Sequence, residues 1–390
     1  IRLHGKVAIE GKEVSALIDN TVRELVDVLV KNQDTDGYIG DNSYRQGHPM
    51  GACALSLLAL LKAGVAKESK VVQKAMAYLR GLPMQATYSV GLLCMAIEAY
   101  YTPLDELAHS EDSITEDSLK KKPRELSAAD KKWMAAAADW LVKNQGKSGA
   151  WSYGAGGGKR FDNSNAQYGV LGLYAAARCG IRIKAKHWKA ILRHWLDCQN
   201  KKGKKYTPQP PPGSEDDSSI TPVKVRGWDY TNGKSASHSM TCAGAASVAI
   251  AYACLYQVNK NMALKFKKSA IASTTAGLGW LEKNYTINKS MKVGQYYYYM
   301  YGLERACVIN NIRYLGVHNW YREGAIQLCC QSEESGGILP GFPDLPGIED
   351  LPGMDAEKQD FGRWGCAVTV SFVLLFLKKA SAPLGAISER

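Results

Sequence analysis

Six stretches of this chain are apolar on nearly every side of a helix, and a helix of that kind has to be buried all round. They fall at about residues 49–64, 87–101, 164–179, 239–256, 295–308 and 364–379. An amphipathic helical stretch with its charges on one side precedes each of them, at about 14–31, 68–80, 128–144, 185–199, 264–283 and 319–331. Strand patterning is nearly absent. Six buried helices and six half-buried ones predict an all-α chain, with the first set as an inner ring and the second as an outer ring: an (α/α)6 toroid.

The stretches are also copies of one another. HPMGACALSLLALLKAGV from His48 and SNAQYGVLGLYAAARCGI from Ser164 match in hydrophobic register up to the closing glycines Gly64 and Gly180. SMTCAGAASVAIAYA from Ser239 matches the second, with Gly244 at the place of Gly169. A glycine closing each helix supplies the left-handed conformation that ends it. The reading is therefore one domain over residues 1–390, interrupted by irregular inserts at about 103–127, 200–236 and 332–362.

Composition narrows the partners. With 46% hydrophobic residues the chain has enough apolar material to order itself. The net charge of +12 is spread along the sequence, so no nucleic-acid face is expected. The apolar run at 368–377 is too short to cross a bilayer, so no transmembrane span and a soluble protein are expected. The chain opens on Ile1 rather than Met, which leaves a processed leader, and so export, open. The ten cysteines lie in or beside apolar segments without a CxxC pair, and they read as small buried hydrophobes with free thiols.

The junctions between helices carry a motif. Residues 140–151 read WLVKNQGKSGAW, and weaker copies stand at 28–39 (VLVKNQDTDGYI), 195–206 (WLDCQNKKGKKY) and 331–337 (QSEESGG). A fifth, at 280–285, has lost its Gln. A Gln at a helix C-terminus can satisfy orphan carbonyls, and a Trp can lay its large face over the next helix. The pattern resembles the QW motif of the terpenoid cyclase and protein prenyltransferase superfamily, whose members are α/α toroids. The resemblance covers nearly the whole chain and implies a fold more than an activity. It also implies an isoprenoid or other elongated apolar ligand in a central cavity.

The family's chemistry is not intact here. Class II cyclases protonate an alkene with an Asp-x-Asp-Asp motif. The matching stretch, FDNSNAQY, puts Phe161, Asn163 and Ser164 where the acids belong. Amides and hydroxyls do not protonate an alkene, so cyclisation begun by protonation is not expected, and Asp162 or Ser164 reads as a helix N-cap. The prenyltransferases hold zinc with Asp, Cys and His; His318, Cys307 and either Glu323 or Asp360 would be the nearest set, and no cofactor is expected. GWDYTNGKS has five residues between its glycines where a P-loop has four.

Candidate site residues follow from the toroid. Asp162 and Asp229, both near inner-helix starts, are the best carboxylate pair and the candidate catalytic residues of a carbohydrate-active enzyme. Inner helices that run the same way gather His48, Asn163, Asn165, His238, Tyr296 and Arg363 at one mouth, where helix dipoles favour an anionic group. Trp228, Tyr230, Tyr299, His318 and Trp364 complete the ligand-binding candidates. The run Tyr296 to Tyr299, with Tyr301, has two readings: some rings face a central cavity, or they pack with hydroxyls reaching loop backbone. Three functions stay open: an isoprenoid-binding toroid, a non-catalytic scaffold that binds a protein or glycan at its mouth, and a carbohydrate-active enzyme.

Overall fold

A computed structural model describes residues 11–103, 122–155, 161–214, 220–231, 235–287, 293–334 and 366–379. These residues are mostly helical, as the patterning predicts. The amphipathic helices are α1 (Gly11–Lys31), α4 (Lys70–Arg80), α6 (Ala128–Lys143), α8 (Ala185–Asp197), α11 (Lys267–Lys283) and α13 (Trp320–Glu334). The apolar ones are α3 (Pro49–Lys62), α5 (Thr87–Tyr100), α7 (Asn163–Arg178), α9 (His238–Val258), α12 (Val293–Ile309) and α14 (Ala367–Lys378). Two short helices, α2 (Asn42–Arg45) and α10 (Lys260–Leu264), were not legible as separate elements.

Each apolar helix packs against the next, α3 on α5, α5 on α7, α7 on α9, α9 on α12 and α12 on α14, and α14 packs back on α3. Amphipathic helices lie outside them: α4 against α3, α6 against α5 and α7, α8 and α11 against α9, α1 and α13 against α14. The 21-residue α9 has the length and composition of a membrane span, a feature the sequence reading missed. Its most apolar window is 78% buried inside the protein, which makes it a core helix.

Where α14 meets α3, 326 residues of sequence separation are closed by one carboxylate. Asp41, in the loop before α3, accepts hydrogen bonds from Ala367 N at 2.8 Å and Val368 N at 3.4 Å, the first amides of α14. Ser371 and Ser56 hydroxyls meet one turn further in, at 3.2 Å. Replacing Asp41 by Ala strips this cap, and a loss of about 1–2 kcal/mol is expected in urea denaturation, with Asp41→Asn recovering most of it.

The motif at the junctions divides its labour between neighbouring residues. At three junctions an Asn ends its own helix: Asn32, Asn144 and Asn284 side chains donate to the carbonyls of Val28, Trp140 and Trp280. The Gln reaches outward instead, because it is one residue further on and one methylene longer. Gln33 donates to Val71 O on α4 at 2.8 Å, Gln145 pairs with His187 on α8, and Gln199 donates to Ser273 O on α11 at 2.9 Å. The Gln therefore ties successive amphipathic helices together rather than capping its own.

The glycine of the motif has a second reason to be there. Gly149 sits at φ +91°, and a Cβ on it would lie 2.1 Å from Ala190 O on α8. Gly37 repeats this at φ +98° against Lys74 O on α4. Gly64 and Gly180 also take positive φ where they close α3 and α7.

Within the 200–236 insert the structure holds an antiparallel pair, β1 (Lys204–Tyr206) and β2 (Val223–Val225), where an irregular loop was expected. Each strand is only three residues long, too short for alternation to register. All ten cysteines carry free thiols.

Candidate functional site

The start of α7 is the best-organised polar region near the predicted mouth. Asp162 is the N-cap: its carboxylate accepts from Asn165 N at 2.8 Å and from Asn165 Nδ2 at 2.9 Å. Asn163, fully buried, ties three elements together. Its backbone N donates to Tyr230 O, its side-chain amide donates to Asp229 O at 2.8 Å, and its Oδ1 accepts from His194 Nε2 of α8 at 2.9 Å.

His194 and Cys198 stand next to each other here, and they escaped the sequence reading although their i, i+4 spacing was visible. With Asn163 they have the residue types of a cysteine nucleophile. Their electrostatics are those of a packed cluster. Burial pushes the His194 pKa down to about 4 and the Cys198 thiol up to about 12. The hydrogen-bond network places the His194 proton on Nε2, directed at Asn163, so that nitrogen has no lone pair for Cys198 Sγ at 3.7 Å.

Beside this cluster opens a cleft of about 480 Å³ lined by Phe161, His194, Asp197, Asn200, Lys201 and Asp229. Its size suits a small molecule and its walls are largely polar. Of the proposed carboxylate pair, Asp229 lines it and Asp162 does not. Next to Asp229, Tyr230 is 45% exposed and its hydroxyl lies 2.7 Å from that of Tyr153, itself 53% exposed. Among the described residues these two are the exposed aromatic side chains, and they stand as a pair.

Aromatic rings link the apolar helices across α12, α7 and α5. Tyr298 of α12 reaches across to α7, where its hydroxyl meets Ser164 Oγ at 2.9 Å and accepts from Gln167 Nε2. Its ring stacks 6.5 Å from Tyr168 of α7 and lies 5.8 Å from Phe372 of α14. Tyr168 leads on to Tyr88 of α5 at 6.3 Å, and Tyr88 to His48, the N-cap of α3, at 5.3 Å. Because α7 and α12 both also neighbour α9, this chain of rings crosses the space between the apolar helices.

Other candidates serve packing. Tyr296 and Tyr299 donate to Ile287 O and Thr286 O, holding the segment ahead of α12, while Tyr298 and Tyr301 reach Phe372. The packing reading of the tyrosine run thus holds for Tyr296 and Tyr299, whose hydroxyls reach loop backbone. His238 lies 2.7 Å from Asn284 O, between the rings of Trp280 and Tyr299, and burial holds its pKa below the usual value. Trp228 is fully buried, its indole N–H donating to Trp195 O and its ring seated on Gly244. It repeats Trp151, which donates to Leu141 O and sits on Gly169. The motif's closing aromatic at this junction is therefore Trp228, displaced by the insert, and not Tyr206.

His318 stacks on Tyr285 at 4.1 Å and lies 3.1 Å from Glu323, and Cys307 is fully buried with its thiol raised by desolvation. Among the described residues no three His, Cys, Asp or Glu side chains group to hold a metal. Arg363, Trp364 and Asp360 lie outside the described residues.

Comparison with protein-family models finds none that matches the chain, and comparison with curated proteins finds no match.

Proposed function

We propose that the six helix pairs close into an (α/α)6 toroid, similar in plan to the terpenoid cyclase and prenyltransferase repeat proteins, and that this toroid binds a glycan at the face where its apolar helices begin. Closure is supported by α14 packing on α3 and by the Asp41 cap on α14. The observation that carries the function is the polar cleft of about 480 Å³ at Asp229, flanked by the exposed Tyr153–Tyr230 pair. Sugars present apolar C–H faces and many hydroxyls, so a rim of aromatic faces beside carboxylate, amide and ammonium groups matches both.

Hydrolysis is not part of the reading, because Asp162, the other half of the expected carboxylate pair, accepts from Asn165 at the start of α7 and does not line the cleft. An isoprenoid on the axis is the second reading, favoured by the rings of Tyr88, Tyr168, Tyr298 and Phe372. That occupant has to displace Tyr298 from Ser164 and Gln167. A glycan array probed with the full chain is expected to return oligosaccharide hits that Tyr230→Ala and Tyr153→Ala each weaken about tenfold or more. An array without hits, or hits indifferent to both substitutions, would count against glycan binding.

A further inference from the structure

We propose that α10 and the start of α11 form a docking surface for an anionic phospholipid bilayer. From residue 230 to residue 281 the sequence holds no Asp or Glu, while Lys265, Lys267 and Lys268 stand almost side by side. All three are exposed. Among the described residues no acidic side chain pairs with any of them. Nor do they serve the helix that they begin. The first turn of α11 has no acidic residue, and Phe266 before it offers no side-chain cap. Amides at a helix start carry partial positive charge, so lysines there are unfavourable to the helix itself.

Aliphatic side chains stand among these charges. Of the seven large hydrophobic side chains exposed among the described residues, three are here. They are Val258 at the end of α9, Leu264 at the end of α10 and Ile271, 57% exposed, in the second turn of α11. Lys265 and Phe266, which link α10 to α11, keep helical backbone angles. Leu264, Lys268 and Ile271 therefore follow one another at helical spacing along one side, while Ala263 and Ala270 are buried against the core. Arg193 of α8, also exposed, lies over the Phe266 ring at 5.8 Å and adds a further cation to the patch.

This mixture selects the occupant. An anionic bilayer offers lysines a phosphate-rich surface and offers aliphatic side chains the apolar layer beneath it. A nucleic acid has the phosphates without that layer. A second copy of the chain seated here sets lysine against lysine. None of these residues lines the cleft at Asp229, so lipid binding and glycan binding hold or fail separately.

Co-sedimentation of the full chain with phosphatidylcholine vesicles, made with and without phosphatidylserine, is the test. Binding is expected only with phosphatidylserine, and it should weaken as salt is raised. Lys265→Gln and Lys268→Gln should each weaken it about fivefold, the effect of one lysine at such a surface. Leu264→Gln and Ile271→Gln should each weaken it by about as much, because an aliphatic chain no longer leaves water. Lys143→Gln, at the exposed end of α6, should leave it unchanged. Every substituted side chain is exposed, and a thermal melt verifies that the variants keep the fold. Equal binding to both kinds of vesicle, or binding to neither, would overturn the proposal. So would binding that Leu264→Gln and Ile271→Gln both leave intact, which is the behaviour of a purely ionic contact. Capture by soluble poly-glutamate without sedimentation on vesicles would point to an acidic protein in place of a bilayer.

Discussion

Trp151→Ala and Trp228→Ala are each expected to lower the stability of the chain by about 3–5 kcal/mol, the largest effects of any single truncation discussed for this protein. Both side chains are at most 1% exposed. Each indole does two things: its N–H satisfies the carbonyl of Leu141 or Trp195, and its ring covers a glycine of the next apolar helix, Gly169 or Gly244. Truncation leaves a cavity the size of the ring between two packed helices, together with a buried carbonyl stripped of its donor. Trp140, half-buried on α6 within the same motif, is the control, and Trp140→Ala should cost less than half as much. Urea denaturation followed by far-UV circular dichroism checks all three. Equal losses for Trp140 and Trp151 would mean that the ring-on-glycine seat is not what holds the junction.

The second large effect is a dependence on pH. Burial lowers the folded-state pKa of His194 to about 4, against about 6.5 in an unfolded chain. Between those values the unfolded chain binds the proton and the folded one does not, so stability falls as the pH drops from about 6.5 towards 4. The full difference amounts to about 3 kcal/mol. His187 and His238 are shifted the same way by burial, so the wild type should show a compound slope. His194→Gln keeps a donor for Asn163 Oδ1 and removes one of the three contributions. Its stability should therefore fall less steeply than that of the wild type between about pH 6.5 and 4. Parallel slopes for the two proteins would place His194 in contact with water, contrary to its burial.

Much of this fold was legible because its apolar helices carry no competing pattern. A helix that is apolar on every face predicts its own burial, and the register shared by residues 48–65 and 164–181 predicts equivalent places in a repeat. The roles inside the motif were not legible. Asn144 and Gln145 are neighbours of similar chemistry, and only the direction of the chain after α6 decides that one caps α6 while the other crosses to α8. The copy at 195–206 ends on Tyr206 because the 200–236 insert moves Trp228 along the sequence, yet GWDY at 227–230 stands after its amphipathic helix as WSYG at 151–154 does, and that equivalence was legible.

At the site, the sequence narrowed the N-cap to Asp162 or Ser164, and the structure gives it to Asp162. The cluster of His194, Cys198 and Asn163 was not legible, because α8 and α7 meet through a contact 31 residues apart.

The central claim is that the axis of the molecule is occupied by its own rings and that binding takes place on the face at Asp229 and Tyr230. Native mass spectrometry of the full chain tests it directly, with the protein offered a mixture of isoprenoids (squalene and geranylgeranyl diphosphate among them) and a mixture of oligosaccharides. The account predicts a one-to-one oligosaccharide adduct that disappears in Tyr230→Ala, and no isoprenoid adduct. A retained isoprenoid that persists in Tyr230→Ala and is lost when Tyr168 or Tyr298 is replaced would contradict it.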